Sequence, residues 1–215
     1  LMINTILATI PFILLLAMIF YGSELVWKSK SVNFLSIENS TPFSNSAIFI
    51  SKFITVLLIS LILIFFCITL GVLFQVMYRY PIINWNAYLS LFYYIGLPAS
   101  ICGLFVIGLQ YFLKNKYIAL SVSAVFLITT NTSIGKEIGF SHPLTRFANF
   151  LPEVYSDING FGYFPKAFFV NISYSFSFAI ACSLLGIIFM NKSIKKMKWK
   201  QGFALIIPLV SLALI

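Results

Sequence analysis

Two carboxylates four residues apart, Glu153 and Asp157, have the spacing with which side chains could do chemistry together. Such a pair could act as general acid and base, or it could bind a cation. The run from Ser156 to Gly160 around them is rich in Asp, Asn and Gly, which predicts a turn. Both interpretations stay open, and the sequence favours the turn.

The remaining reactive residues show no catalytic pattern. His142 is the single histidine, and its place beside Pro143 is typical of a surface loop. Cys67, Cys102 and Cys182 lie inside apolar runs without CxxC spacing, so we expect them to pack between helices. The sequence has no GxxxxGK[ST] loop and no HExxH motif. We therefore predict that this chain is not an enzyme, holds no metal and binds no cofactor itself.

The composition indicates what would position these residues. Hydrophobic residues make up 60% of the 215, and charged residues only 9%, whereas soluble domains carry about 25% charged residues. A bilayer accepts such an apolar exterior. The net charge of +9 arises from lysines between the apolar runs, so we assign it to membrane topology and expect no nucleic-acid partner.

The apolar runs predict an all-α, polytopic transmembrane bundle. Backbone polar groups in lipid must be satisfied within each segment, and the runs do not alternate as barrel strands do. We predict five full spans and the start of a sixth, at residues 1–21, 53–78, 91–113, 117–135, 167–191 and 202–215. Residues 1–215 are interpreted as one transmembrane domain. The last run is shorter than the roughly 20 residues of a span, so we expect a fragment of a longer chain.

Lysine and arginine predict the orientation. Ten of them lie on one side of the predicted membrane, in residues 22–52, 114–116 and 192–202, and four lie on the other, in residues 79–90 and 136–166. Positive residues concentrate on the cytoplasmic side. The first group is therefore predicted to be cytoplasmic.

The cytoplasmic segment 22–51 is predicted to contain a short amphipathic helix. Glu24 and Lys28 are four residues apart and can pair on one helix face. A Thr-Pro pair then ends this helix, and Ser44 or Asn45 is a suitable N-cap for the next one.

The outer segment 136–166 has several prolines, glycines and aromatic residues. It is too apolar for a flexible linker. We expect it to pack on the helix ends or to dip into the membrane interface.

The cytoplasmic segment resembles a known family. It reads Ser23-Glu24-Leu25-Val26-Trp27-Lys28, continues through Ile37 to Thr41-Pro42, and reaches Ser51-Lys52-Phe53. This pattern resembles the coupling segment of type-2 ABC transporter permeases. Combined with Pro152-Glu153-Val154-Tyr155-Ser156-Asp157-Ile158-Asn159-Gly160-Phe161-Gly162, it is similar to the permease region of bacterial ABC permease/zinc aminopeptidase fusion proteins.

The resemblance implies that ATP hydrolysis and the membrane spans belong to different subunits. A separate ABC ATPase, carrying ATP and Mg, would dock on the coupling helix, and a second permease copy or homologous half would complete the unit within the lipid. The contact residues that it implies are Glu24, Trp27, Lys28, Phe34, Leu35 and Glu38. The outer-loop motif that it marks contains Glu153, Tyr155, Asp157, Asn159 and Gly160.

Three functions are compatible with these features. The first is a permease subunit of an ATP-driven exporter in a bacterial inner membrane. The second is a non-transporting scaffold that anchors a peptidase or a larger complex. The third is a lipid-acting enzyme using Glu153 and Asp157, which ranks last because such enzymes need convergent polar groups. No motif specifies the cargo or the oligomeric state.

Overall fold

Six helices form the regular structure of the residues that the computed structural model describes. Those residues are 2–32, 44–79, 83–113, 115–132, 134–137, 139, 146–150, 155, 160–161 and 164–190. The helices are α1 (Met2–Ser31), α2 (Asn45–Met77), α3 (Trp85–Phe112), α4 (Lys116–Asn131), α5 (Ile134–Glu137) and α6 (Phe164–Met190). Every element described is helical, which confirms the predicted all-α class.

Four of these helices, α1, α2, α3 and α6, are long and apolar enough to cross a membrane. The chain therefore has the architecture of a membrane protein. The predicted partial span at 202–215 lies outside the described residues.

The predicted fourth span differs from the structure. Helix α4 has 16 residues, which cover about 24 Å at 1.5 Å per residue and fall short of a hydrocarbon core about 30 Å thick. Polar side chains cluster at the end of this helix. The hydroxyl of Thr130 donates to the Phe126 carbonyl at 2.9 Å and that of Thr132 to the Ile128 carbonyl at 2.6 Å. Side chains that bond the backbone locally in this way are less favourable in a helix interior than at its ends.

Helix α1 runs further than its predicted span. It continues unbroken from Met2 to Ser31, so Glu24, Trp27 and Lys28 lie on the same helix as the first apolar run. Gly22 does not end the helix, because it is buried where α1 packs against Val106 of α3.

The start of α2 confirms the predicted N-cap. Ser44 has an extended backbone, and its hydroxyl accepts a hydrogen bond from the Ala47 N–H at 3.3 Å. A serine in this position satisfies one of the donors that the first turn leaves unpaired. The Thr41-Pro42 break that was predicted to precede it lies outside the described residues.

Helix α3 is the centre of the bundle. In its most apolar stretch 72% of the residues are buried, against 28% to 44% in the other three long helices. It packs against α6, α1 and α2. The outward faces of those helices expose large apolar side chains such as Phe12, Phe65 and Phe176, which suits contact with lipid.

The bundle has two chemically different ends. Glu24 pairs with Lys116, and Lys52 bonds Ser29, at one of them, which we call the lysine-rich end. Asn4, Asn84 and Tyr155 meet at the other, which we call the Tyr155 end. The lysine count placed the same residues on the same two sides. That the lysine-rich end faces the cytoplasm stays a prediction.

Candidate functional site

An ion pair joins α1 to α4 at the lysine-rich end. Lys116 Nζ lies 2.6 Å from Glu24 Oε2, and the two side chains are 36% and 43% exposed. Glu24 was predicted to pair with Lys28 on its own helix, and the structure gives it this partner on another helix. A pair this exposed is screened by water and contributes about 0–1 kcal/mol to stability. Its value here is to fix the start of α4 beside α1.

A buried hydrogen bond joins α1 to α3 one turn further along. Trp27 Nε1 donates to Gln110 Oε1 at 2.7 Å. Gln110 is fully buried, and its Nε2 has no hydrogen-bond partner among the described residues. A buried acceptor without its donor is costly. The Trp27 hydrogen bond therefore stabilises the packing of α1 against α3.

A third contact brings in α2. Lys52 Nζ donates to Ser29 Oγ at 3.1 Å and lies 5.5 Å from the centre of the Tyr111 ring. That ring packs against Phe49 at 5.9 Å. The extension of α1 is thus fastened to α2, α3 and α4 by polar contacts at one end of the bundle.

The predicted ATPase contacts have different positions in this structure. Glu24 and Trp27 are half-buried and bonded within the chain, whereas Lys28 is exposed. Of the described members of this set, Lys28 is the one with its side chain presented outward. Phe34, Leu35 and Glu38 lie outside the described residues.

Replacing Trp27 with phenylalanine is expected to destabilise the protein. The ring packing is kept, but Gln110 Oε1 is left buried without its donor, at a cost of about 1–3 kcal/mol. We expect the Tm in detergent to fall by about 3–8 °C. Trp85→Phe is the matched control, because Trp85 is 60% exposed, and its Tm should not change.

A double variant tests the cause of that loss. In Trp27→Phe combined with Gln110→Leu, neither polar partner remains, which is often nearly neutral. Recovery of most of the lost Tm in the double variant supports the hydrogen bond as the cause. Additive losses would contradict it.

Tyr155 of the outer-loop motif packs on the helix ends, as predicted for that loop. The Asn4 amide donates to the Tyr155 carbonyl and accepts from the Tyr155 N–H, both at 3.1 Å. Asn84 Nδ2 donates to the Tyr155 hydroxyl at 3.0 Å, and the Tyr155 ring lies 5.2 Å from that of Phe161. The motif therefore ties the first turn of α1 to the start of α3.

The rest of that motif is only partly described. Gly160 has a φ of 57°, a left-handed conformation that suits the predicted turn. Glu153, Asp157 and Asn159 lie outside the described residues, so their acid–base or cation-binding role stays a prediction. Among the described residues no three His, Cys, Asp or Glu are grouped as metal ligands.

A non-helical turn at residues 146–150 lies between α4 and α6, whereas its loop was predicted to pack on the helix ends or to dip into the membrane interface. Asn171 of α6 holds both arms of this 146–150 turn, accepting from the Asn149 N–H at 3.1 Å and donating to the Arg146 carbonyl at 2.9 Å. Ser175 Oγ accepts from the Ala148 N–H at 2.8 Å. Ala148 has a φ of 47°, which makes the turn tight.

The last residue of α4 also holds this turn. Asn131 Nδ2 donates to the Phe147 carbonyl at 3.1 Å. Irregular backbone at membrane depth needs partners within the protein or water, and side chains of α4 and α6 provide them here. The Asn and Ser residues inside apolar runs were the signal in the sequence, but their partners could not be read from it.

Four phenylalanines pack at the tip of the turn. The Phe147 ring lies 5.1 Å from Phe105, 5.6 Å from Phe126 and 5.7 Å from Phe178. Phe126 is ten residues from Lys116, or about 15 Å, and Phe178 is twelve residues from Lys166, or about 18 Å. The tip therefore lies near the midpoint of α6.

Contacts of Glu24 and Trp27 hold the helices together at the lysine-rich end, and contacts of Tyr155 do so at the opposite end. The irregular 146–150 turn lies between the two ends. Non-helical backbone within a membrane bundle occurs where protein or water satisfies its polar groups, and the side chains of α4 and α6 do so here. Comparisons of the chain with family models, with curated proteins and with solved structures gave no match.

Proposed function

We propose that this chain is the permease subunit of an ATP-driven exporter of the type-2 ABC class, in a bacterial inner membrane. A separate ATPase docks at the lysine-rich end, and a second permease copy or homologous half completes the transporter. One observation carries the proposal. Helix α4 begins at Lys116, which bonds Glu24 of the α1 extension, and it ends at Asn131, which bonds the 146–150 turn.

This geometry is suited to transmitting motion from the lysine-rich end to the 146–150 turn. A helix of 16 residues is a stiff rod about 24 Å long. A partner that displaces the α1 extension would displace α4 through the packing of these two helices and the Glu24–Lys116 pair, and with it the 146–150 turn. Rigid-body movement of helices is a common way in which transporters couple docking to opening.

The charge distribution supports an external energy source. Glu24, Lys28, Lys52, Lys116 and Lys166 all lie near ends of the described helices. Ion-coupled transporters, by contrast, place Asp, Glu or His side chains at membrane depth to carry protons or ions, whereas the charged side chain of the 146–150 turn is the cation of Arg146. An ATPase partner provides energy without such groups.

A pull-down from native membranes tests the proposal. The protein is extracted in mild detergent, and its co-purifying proteins are identified by mass spectrometry. We expect a stoichiometric partner with a GxxxxGK[ST] loop. A folded bait without one would overturn the proposal and favour the scaffold that anchors a peptidase or a larger complex.

A charge reversal at the proposed docking surface sharpens the test. Lys28 is exposed on the α1 extension, so Lys28→Glu is expected to reduce the recovered ATPase by about tenfold through charge repulsion. Lys166→Glu is the matched control, since Lys166 is also exposed but lies on the first turn of α6. Equal recovery with both variants would contradict docking at Lys28.

A further inference from the structure

Polar side chains surround the 146–150 turn on the side facing the Tyr155 end. Arg146, Asn149 and Asn171 are each half-buried, as is Asn131 at the end of α4. The Asn131 Oδ1 atom is buried and has no hydrogen-bond partner among the described residues. Amide and guanidinium groups that faced hydrocarbon would each cost several kcal/mol. Asn171 lies five residues, or about 8 Å, along α6 from Lys166, so partly open polar groups at this level indicate that water reaches into the bundle from the Tyr155 end.

The side of the turn facing the lysine-rich end is apolar and closed. Phe105 and Phe147 are each only 3% exposed. Beyond them the backbones of α3 and α6 meet, since a Cβ atom built on Gly186 would lie 2.6 Å from the Gly108 carbonyl oxygen. The contrast between the two sides of one turn marks a boundary across the bundle.

We propose that a water-filled recess enters from the Tyr155 end and stops at the 146–150 turn, where the Phe147 ring is the plug that closes it. The recess would admit small polar solutes from that side, and withdrawal of Phe147 would extend it to Ala179 of α6, short of the contact between the α3 and α6 backbones. This inference deepens the proposed function, on which it rests for its role in transport. The recess itself is a property of this chain alone.

Cysteine labelling tests for the recess without any ATPase. The background is the full chain with Cys67→Ala, Cys102→Ala and Cys182→Ala, in sealed vesicles of known sidedness. The reagent is a membrane-impermeant maleimide, applied from each side in turn. The probes are Arg146→Cys and Asn149→Cys, because the turn is bonded through the backbone of these two residues.

The control has the same depth but faces outward. Ser173 lies on α6 between the two residues that hold the turn, and its side chain is exposed on the bundle surface. We expect both probes to react at least about tenfold faster than Ser173→Cys, from one side only, because lipid excludes the reagent. Equal rates at the probes and the control would overturn the recess.

A second comparison tests the plug. Ala179 is fully buried on α6, one helical turn beyond Ser175, so Ala179→Cys reports on access past the turn. Adding Phe147→Ala should accelerate its labelling from the recess side by at least about tenfold, because the truncation removes the ring that blocks the way. Phe150→Ala is the matched control, since Phe150 is in the same turn and also buried.

Acceleration that is the same with Phe147→Ala and Phe150→Ala would overturn the plug. If Phe147→Ala does not fold, Phe147→Leu is measured against the same control. Labelling of Arg146→Cys and Asn149→Cys together with failure to recover an ATPase would leave the recess intact and remove the proposed energy source. The two failures are therefore distinguishable.

Discussion

Replacing Gly186 with alanine is expected to separate α3 from α6 and to destabilise the whole bundle. An added Cβ would lie 2.6 Å from the Gly108 carbonyl oxygen, and Gly108 is itself in contact with the Ser183 backbone. Because both partners are backbone, no flexible side chain can move aside. Overpacking of this kind costs about 1–3 kcal/mol or more, so we expect the Tm in detergent to fall by about 5–10 °C.

Gly96→Ala is the control for that variant. Gly96 is also a buried glycine in a long helix, but an added Cβ there would meet only side chains, at 3.6 Å from Ile64 and 4.0 Å from Leu61. Those are ordinary contact distances. Alanine is also favoured over glycine in a helix by about 0.5–1 kcal/mol, so the Tm should stay or rise. If both variants lose the same stability, the backbone contact between α3 and α6 is wrong.

The sequence predicted the features that depend on local composition. Long apolar runs become helices because lipid offers no partner for backbone polar groups, and α1, α2, α3 and α6 follow from that rule alone. The N-cap at Ser44 was predictable because its partner, the Ala47 N–H, is three residues away. The packing of Tyr155 on helix ends followed from the aromatic character of its loop.

The end of α4 could not be predicted by the same rule. The charge-free run continues past Asn131, and an average over a window hides the polar residues at the end of the helix. Thr130 and Thr132 bond carbonyls of the preceding turn with their hydroxyls, and residues that do so favour helix ends over helix interiors. A run of Thr and Asn near the end of an apolar segment is the signal that the interpretation overlooked.

Contacts between helices also could not be predicted from the sequence. Trp27 and Gln110 are 83 residues apart, and Glu24 and Lys116 are 92 apart, so no periodicity connects them. The i, i+4 rule offered Lys28 as the partner of Glu24, and it is silent about other helices. The candidate site depends on these long-range pairs, and it became visible only once the helices were packed.

Replacing Asn171 with leucine is expected to release the 146–150 turn. The Asn171 amide accepts from the Asn149 N–H at 3.1 Å and donates to the Arg146 carbonyl at 2.9 Å. Leucine has a similar size but can do neither. The two backbone groups are partly buried, so each costs about 1 kcal/mol when left unpaired, the lower end of the range, and the two together should lower the Tm in detergent by about 4–8 °C.

Ser173→Ala is the control on the same helix. The Ser173 hydroxyl donates to the Val170 carbonyl of its own helix at 2.9 Å and is exposed, so its loss leaves no group of another element unpaired. We expect a Tm within about 1 °C of the parent. If Asn171→Leu unfolds no earlier than Ser173→Ala, side chains of α6 do not hold the turn. If Asn171→Leu unfolds earlier and also speeds the labelling of Ala179→Cys, the hydrogen bonds that hold the turn also keep the Phe147 ring in the position that closes the recess.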